Sequence, residues 1–174
     1  NAATAIAAIN RLRDRGWSIS DEAARHGLAT ARCPARIEQV ATFPIVILDV
    51  AHNLASIEAL LAVLRKRFAP RRRILIFASS KDKDYTGMLK LVLPDFDTVF
   101  LTQYIHNPRA MEAEGLLAIA QQLRAAHDGA KRPILHATAR PQDALRLARA
   151  IAAADDLICI SGSFFLAAEL RPIL

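Results

Sequence analysis

Residues Ile45-Val46-Ile47-Leu48 are apolar on both faces of any extended strand they form, and similar short runs recur at Ile74–Ala78, Thr98–Thr102 and Leu157–Ser161. A strand without a polar face has to be covered on both sides, which is the condition of a strand inside a parallel sheet. Longer stretches of helical period separate these runs. Asn53 to Phe68 carries Leu54, Ile57, Leu61, Leu64 and Phe68 on one stripe, and Asp84–Leu93, Ala110–Ala126 and Pro141–Ala153 follow, the last with proline at its first turn. Pro133–Ala137 reads as one more strand and Phe164–Leu170 as the last helix. Strand and helix alternating through short connections imply right-handed crossovers. The expected fold is α/β: a three-layer, Rossmann-like, mostly parallel sheet of about six strands with helices on both faces. Arg36–Phe43 alternates weakly and turns at Pro44 onto the next strand, so it is expected to be an antiparallel edge.

Before the sheet, Ala2–Arg15 reads as a helix ended by Gly16, and Ser20 caps a short helix reaching about Gly27. Cys33-Pro34-Ala35 then breaks the pattern. A length of 174 residues fits one domain, or one domain carrying a fragment of a neighbour. The 53% hydrophobic content excludes disorder, and 6 Gly with 8 Pro exclude a collagen-like or low-complexity chain. Two cysteines, Cys33 and Cys159, cannot build a disulfide scaffold or a four-cysteine zinc site, and they read as reduced thiols of a cytoplasmic protein. No window is a membrane span and no signal peptide opens the chain, which begins without methionine, as a piece cut from something longer does.

The net charge of +6 comes mainly from scattered arginines. The one dense run, Arg71-Arg72-Arg73, precedes a strand without interleaved aromatics. It reads as a solvated strand-entry turn in preference to a groove for nucleic acid. A basic surface also suits small anionic substrates.

Ligands of such sheets bind beyond the carboxyl ends of the strands. There the sequence places Asp49-Val50-Ala51-His52-Asn53, then Ser79-Ser80-Lys81-Asp82-Lys83-Asp84, then Gln103–Arg109, and finally Ser161-Gly162-Ser163. Asp49, a carboxylate after four large aliphatics, is either a cap for the following helix or an acceptor for a ribose hydroxyl or a cationic ligand. His52 sits where a helix dipole disfavours its protonated form; it is a neutral donor to an anion or an ordinary capping histidine. Asn53 and Asp84 read as helix caps, and Lys81–Asp84 as a solvated charged loop. Arg109, at an expected helix start, is held by an anion or points away. Ser161-Gly162-Ser163 offers hydroxyls and N–H groups to an anion. Glycine-rich phosphate loops, a Gly-x-Ser-x-Gly turn and zinc-ligand spacing among His26, His52, His106, His127 and His136 are all absent from the sequence. No metal site is expected in this chain.

The stretch Leu48-Asp49-Val50-Ala51-His52-Asn53-Leu54-Ala55-Ser56 resembles the "lDgAHNpxa" signature of the folylpolyglutamate synthases, including the bifunctional dihydrofolate synthases, ATP-dependent amide ligases related to the Mur ligases. Asn1–Ala5, the Gly27–Glu38 segment, Asp82-Lys83-Asp84, Asn107–Ala110 and Ile160–Phe165 resemble further motifs of that family, in the same order. The resemblance implies that residues 1–31 are terminal helices of a preceding ATP-binding domain plus linker, and residues 32–174 a Mur-ligase-type C-terminal domain. It implies a reaction in which ATP activates a folate or dihydropteroate carboxyl as an acyl phosphate and L-glutamate attacks it. This chain alone is then expected to be inactive, because the phosphate loop and the Mg2+ ligands belong to the missing N-terminal domain. Carried over by position, Asn1, Arg36 and Asp49 would contact ATP, His52 and Ser163 would bind glutamate, and His52 and Asp49 are the candidate catalytic residues. A monomer is implied, without nucleic-acid or membrane partners.

The sequence departs from the family at Ala35, Val50 and Leu54, and at Cys33, where glycine, glycine, proline and tryptophan are usual. A glycine before Arg36 would serve a positive backbone angle. A cell-wall Mur ligase domain shares the Ala-His core but has other flanks, and Gly162-Ser163-Phe164-Phe165 argues against it. A receiver-like module with Asp49 as phosphoacceptor lacks the acidic pair it needs after an earlier strand.

Overall fold

The computed structural model describes residues 2–126 and 132–174. The chain divides into two compact units, one up to Pro34 and the other from Ala35 to Leu174. The first unit is a helical pair, α1 (Ala2–Asp14) and α2 (Asp21–Thr30). Ser20 caps α2 by accepting the Ala23 N–H at 3.0 Å, as its sequence position predicts. The helix runs through Gly27 to Thr30, whose hydroxyl returns a bond to the His26 carbonyl at 2.8 Å. Neither helix buries a side chain, and Ile6, Leu12 and Trp17 are exposed.

The second unit holds β1 (Glu38–Thr42), β2 (Ile45–Leu48), α3 (Leu54–Arg67), β3 (Arg73–Phe77), α4 (Tyr85–Val92), β4 (Thr98–Thr102), α5 (Ala113–Ala125), β5 (Ile134–Thr138), α6 (Pro141–Ile151), β6 (Leu157–Ser161) and α7 (Phe164–Leu170). The sheet is six-stranded in the order β1-β2-β6-β3-β4-β5. Only the β1–β2 pair is antiparallel; the others run parallel. All the parallel strands therefore end on one edge. Successive side chains feed two cores. Ile47, Leu75, Phe77, Val99 and Cys159 face one side with Leu61, Leu89 and Leu116 of α3, α4 and α5. Val46, Leu48, Ile74, Ile76 and Ile158 face the other with Leu145 and Leu166 of α6 and α7. This double burial is why those runs lack a polar face.

Three local expectations are corrected. The first strand begins at Glu38 rather than Arg36, because Ala35 and Ile37 have φ of 54° and 51° and cannot extend a ladder. Its alternation fails where the register shifts between Gln39 and Ala41, a bulge that turns both Val40 and Ala41 toward one core. Leu54 leaves the buried stripe of α3, where Ile57, Leu60, Leu61 and Leu64 are buried; it is 40% exposed at the first position of the helix.

Candidate functional site

The strand-end loops are fixed first by caps. Asn53 accepts the Ser56 N–H at 2.9 Å and Ser56 returns a bond to the Asn53 N–H at 3.1 Å, a reciprocal box that starts α3. Asp84 caps α4 through the Gly87 N–H at 2.8 Å. Asp49 is thereby released from capping, and its side chain does something else. Oδ1 accepts the Ala51 N–H at 2.7 Å and Oδ2 the Ile37 N–H at 2.8 Å, while the residue is 5% exposed. The carboxylate ties the end of β2 to the turn that carries Arg36.

That turn is strained. A β-branched residue with positive φ is an outlier, and each left-handed residue bearing a Cβ costs on the order of 1–3 kcal/mol. Ala35, where the resemblance led one to look for glycine, indeed has the positive angle (φ 54°). The turn is held by the Ala35 N–H donating to Glu38 Oε2 at 2.7 Å and the Val50 N–H donating to the Ala35 carbonyl at 3.0 Å. Arg36 is exposed, and its guanidinium lies over the Phe164 ring, 5.5 Å from the centroid. Phe164 also packs against the His52 ring at 5.3 Å. Arg36, His52 and the start of α7 are thus brought together.

His52 has its ring Nδ1 2.9 Å from the Val50 carbonyl. A carbonyl only accepts, so the proton is on Nδ1 and a neutral ring keeps a lone pair at Nε2. The neutral donor expected from the sequence has its one N–H committed to backbone. At Nε2 a neutral His52 accepts, and only the imidazolium would donate there.

A cavity of about 330 Å³ lies at this edge, lined by His52, Ser80, Lys83, Arg109, Gly162, Ser163, Phe164 and Phe165. It takes residues from the ends of β2, β3, β4 and β6. Ser163 caps α7 by accepting the Phe165 N–H at 3.1 Å, which leaves its hydroxyl proton free to donate. Gly162 has φ +107°, and a Cβ there would collide with the Ala78 carbonyl and the Phe77 ring. Only glycine lets β6 turn so closely into α7.

Arg109 is not in the first turn of a helix. α5 begins at Ala113, because residues 109–111 pair with the end of β3 through an Ala110–Ser80 bridge, the Lys81 N–H to Arg109 carbonyl at 2.8 Å and the Met111 N–H to Ser79 carbonyl at 2.9 Å. Its guanidinium is held by an anion inside the protein, Asp82, at 2.6 Å. That hydrogen bond holds the Asp82 carboxyl below its ordinary range. Lys83 lies 3.7 Å from the same carboxylate, so the loop read as merely solvated gives the cavity one cation, which with Arg109 from the next strand end makes two against the one Asp82 anion. Sequence reasoning also missed Phe164 and Phe165. Two adjacent aromatics on an exposed first helical turn after Gly-Ser were the available signal.

Asn1 and His127 lie outside the described residues. Among the described residues no group of three or more His, Cys, Asp or Glu could hold a metal ion, and no helix is long and apolar enough to cross a membrane. Cys159 is buried and Cys33 exposed, both free; burial, then the nearby Asp49 charge, pushes the Cys159 thiol far above its ordinary range.

The chain is 30% identical over 172 residues to the dihydrofolate synthase/folylpolyglutamate synthase of Bacillus subtilis, covering 98% of this chain and 37% of that protein. It superposes on a structure of Escherichia coli FolC in complex with DHPP and ADP with a TM-score of 0.84, at 30% identity, over 99% of this chain and 38% of that one. A bifunctional folylpolyglutamate synthase/dihydrofolate synthase with Mn, AMPPNP and L-glutamate bound matches with a TM-score of 0.75 at 27% identity, over 95% of this chain and 38% of that one. The chain thus spans little more than a third of the length of these relatives. Residues 35–164, from the strained turn to the first residue of α7, match the family described as Mur ligase, glutamate ligase domain, and to that family this chain belongs.

Proposed function

We propose that this chain is the C-terminal part of an ATP-dependent ligase that adds L-glutamate to folate or dihydropteroate through an acyl phosphate, residues 1–31 being the last helices and linker of the preceding ATP-binding domain. The cavity of about 330 Å³ carries this reading, because it gathers anion-binding groups from four strand ends at one amino-acid-sized space. The exposed Ile6, Leu12 and Trp17 on a helical pair without buried residues support the assignment of those helices to a larger neighbour. Two free thiols fit a reducing, cytoplasmic setting, and we take the working protein to be a monomer.

The residue roles follow from what each group has left to offer. Arg36 is the ATP contact: among the described residues it pairs with no carboxylate, and Phe164 supports its guanidinium. Asn1 is assigned to ATP by resemblance alone. Asp49 first holds the turn bearing Arg36, and its remaining lone pairs can accept ribose hydroxyls. His52 and Ser163 serve the glutamate. With Nδ1 donating to Val50, His52 accepts an N–H of the attacking amine at Nε2 while Ser163, Lys83 and Arg109 donate to carboxylate. ATP supplies the phosphoryl group that activates the folate carboxyl. Magnesium, for which this chain offers no ligand cluster among its described residues, is held by the preceding domain.

The test uses the whole gene product carrying this chain. It should release ADP and phosphate only with a folate or dihydropteroate and L-glutamate together. His52→Ala should cut kcat/KM at least about 100-fold with the melting temperature unchanged, the size of a lost acid–base group. Full turnover in that variant, or product formed from a cell-wall amino acid precursor instead, refutes the assignment.

A further inference from the structure

Arg36 stands between two left-handed residues, and something must hold them there. Asp49 holds Ile37 from one side. From the other side the Ala35 N–H donates to Glu38 Oε2. Glu38 is itself gripped: Arg171 Nη2 donates to Oε1 at 2.8 Å and Nε to Oε2 at 3.3 Å, a two-pronged pair. Arg171 directly follows α7, whose first residue, Phe164, lies under the Arg36 guanidinium. The two ends of one short helix therefore bear on Arg36, one through the ring and the other through Glu38.

We propose that Glu38, clamped by Arg171, is a positioning residue for Arg36: its carboxylate fixes Ala35 in the left-handed conformation and so fixes where the guanidinium stands for the nucleotide. This rests on the reading of Arg36 as the ATP contact. The competing view is that Glu38 and Arg171 merely fasten β1 to the end of the chain. The two views separate on what glycine does. If Glu38 acts by holding the backbone of Ala35, a glycine at 35, which adopts the positive angle freely, replaces that service without restoring the ion pair.

The experiment measures KM for ATP, kcat and melting temperature in the whole gene product for Arg36→Ala, Glu38→Ala, their combination, and Glu38→Ala with Ala35→Gly. Glu38→Ala should raise KM for ATP about tenfold, the scale of one misplaced charge-assisted contact, while KM for glutamate changes little. The combination with Arg36→Ala should be no worse than Arg36→Ala alone, and Ala35→Gly should bring KM back to within about twofold of the parent. A lowered melting temperature with KM for ATP unchanged overturns the proposal, as does failure of Ala35→Gly to rescue KM. Should Glu38→Ala not fold, Glu38→Gln keeps an acceptor for the Ala35 N–H but loses the charge facing Arg171. It should raise KM about threefold, and an unchanged KM counts against the proposal. If Arg36→Ala itself leaves KM for ATP untouched, the reading of Arg36 falls first, whatever Glu38 does.

Discussion

Gly162→Ala tests the local geometry on which the cavity depends. The residue has φ +107°, a backbone conformation that L side chains rarely adopt, and an added Cβ would press on the Ala78 carbonyl oxygen and on two Phe77 ring carbons at 2.7 and 2.8 Å. Neither neighbour can give way. Phe77 and Ala78 are 0% exposed, one at the end of β3 and the other just beyond it, between β6 and β4. Backbone strain of about 1–3 kcal/mol and overpacking of about 1–3 kcal/mol add to a loss of about 4 kcal/mol. That is a large share of a stability of roughly 5–15 kcal/mol and corresponds to roughly 12 °C in melting temperature. Thermal and urea unfolding followed by circular dichroism measure it. Gly115→Ala in α5 is the internal control, because there the Cβ meets only the flexible end of Met111 at 2.6 Å and gains helix propensity. It should be neutral or slightly stabilising. A Gly162→Ala loss below about 1 kcal/mol, or one equal to the Gly115→Ala change, refutes the argument that contact with fixed backbone requires glycine here.

Asp156 is 0% exposed and binds Arg72 at 2.7 Å and the Ala153 N–H at 2.9 Å; Asp156→Ala should cost about 2–3 kcal/mol in urea unfolding, below the full cost of breaking a buried pair because Arg71 and Arg72 can turn to water. Burial raises the Asp156 carboxyl, but the Arg72 hydrogen bond, the Ala153 N–H and the charges of Arg72 and Arg71 outweigh it and hold it below its ordinary 3.8, and Arg171 with the Ala35 N–H lowers Glu38 below 4.5. Both groups therefore stabilise the fold fully above those ordinary values and lose that contribution as pH falls through their lowered ones, so an acid titration of stability should be flatter in Asp156→Asn; an identical slope contradicts this. Ser80 and Tyr104, 5% and 1% exposed, share a hydrogen bond of 2.6 Å. Ser80→Ala should cost about 1–3 kcal/mol by stranding the phenol, and adding Tyr104→Phe should recover part of it; strictly additive losses would show that the bond is not what holds the pair.

The parallel core was legible because burial on both faces writes an unbroken apolar run, and β2, β4, β6 and α7 lie where that pattern puts them. The caps at Ser20, Asn53 and Asp84 were legible because their side chains act on backbone within a few residues. What stayed hidden runs against local preference or depends on contacts distant in sequence. Ala35 and Ile37 disfavour positive φ, so their intrinsic preferences argue against the turn, and the carboxylates of Glu38 and Asp49 with the Val50 N–H impose it. The start of α5 slipped from Ala110 to Ala113 because residues 109–111 bond to the end of β3, which no local propensity records. The same contact explains why a helix-dipole argument for Arg109 could name an anion but not Asp82.

The distribution of arginine partners separates the two edges of the sheet by task. At the amino edge the run Arg71-Arg72-Arg73 is met by Asp155, Asp156 and Asp95, and Arg65 binds Asp95 as well. These cations neutralise carboxylates of the fold and have little field left to offer a ligand. At the carboxyl edge, among the described residues, Lys83 and Arg109 share only Asp82, and Arg36 rests on an aromatic ring instead of an anion. Cations with charge to spare for a ligand thus stand where the strands end and not where the arginines are densest. An anionic ligand entering the cavity meets Lys83 and Arg109, whose charge Asp82 offsets only in part, so its binding should weaken with salt more than folding does. Comparing the salt dependence of the KM for glutamate with that of the melting temperature in the whole gene product measures this directly; equal sensitivity of the two would refute the division of charge between the edges.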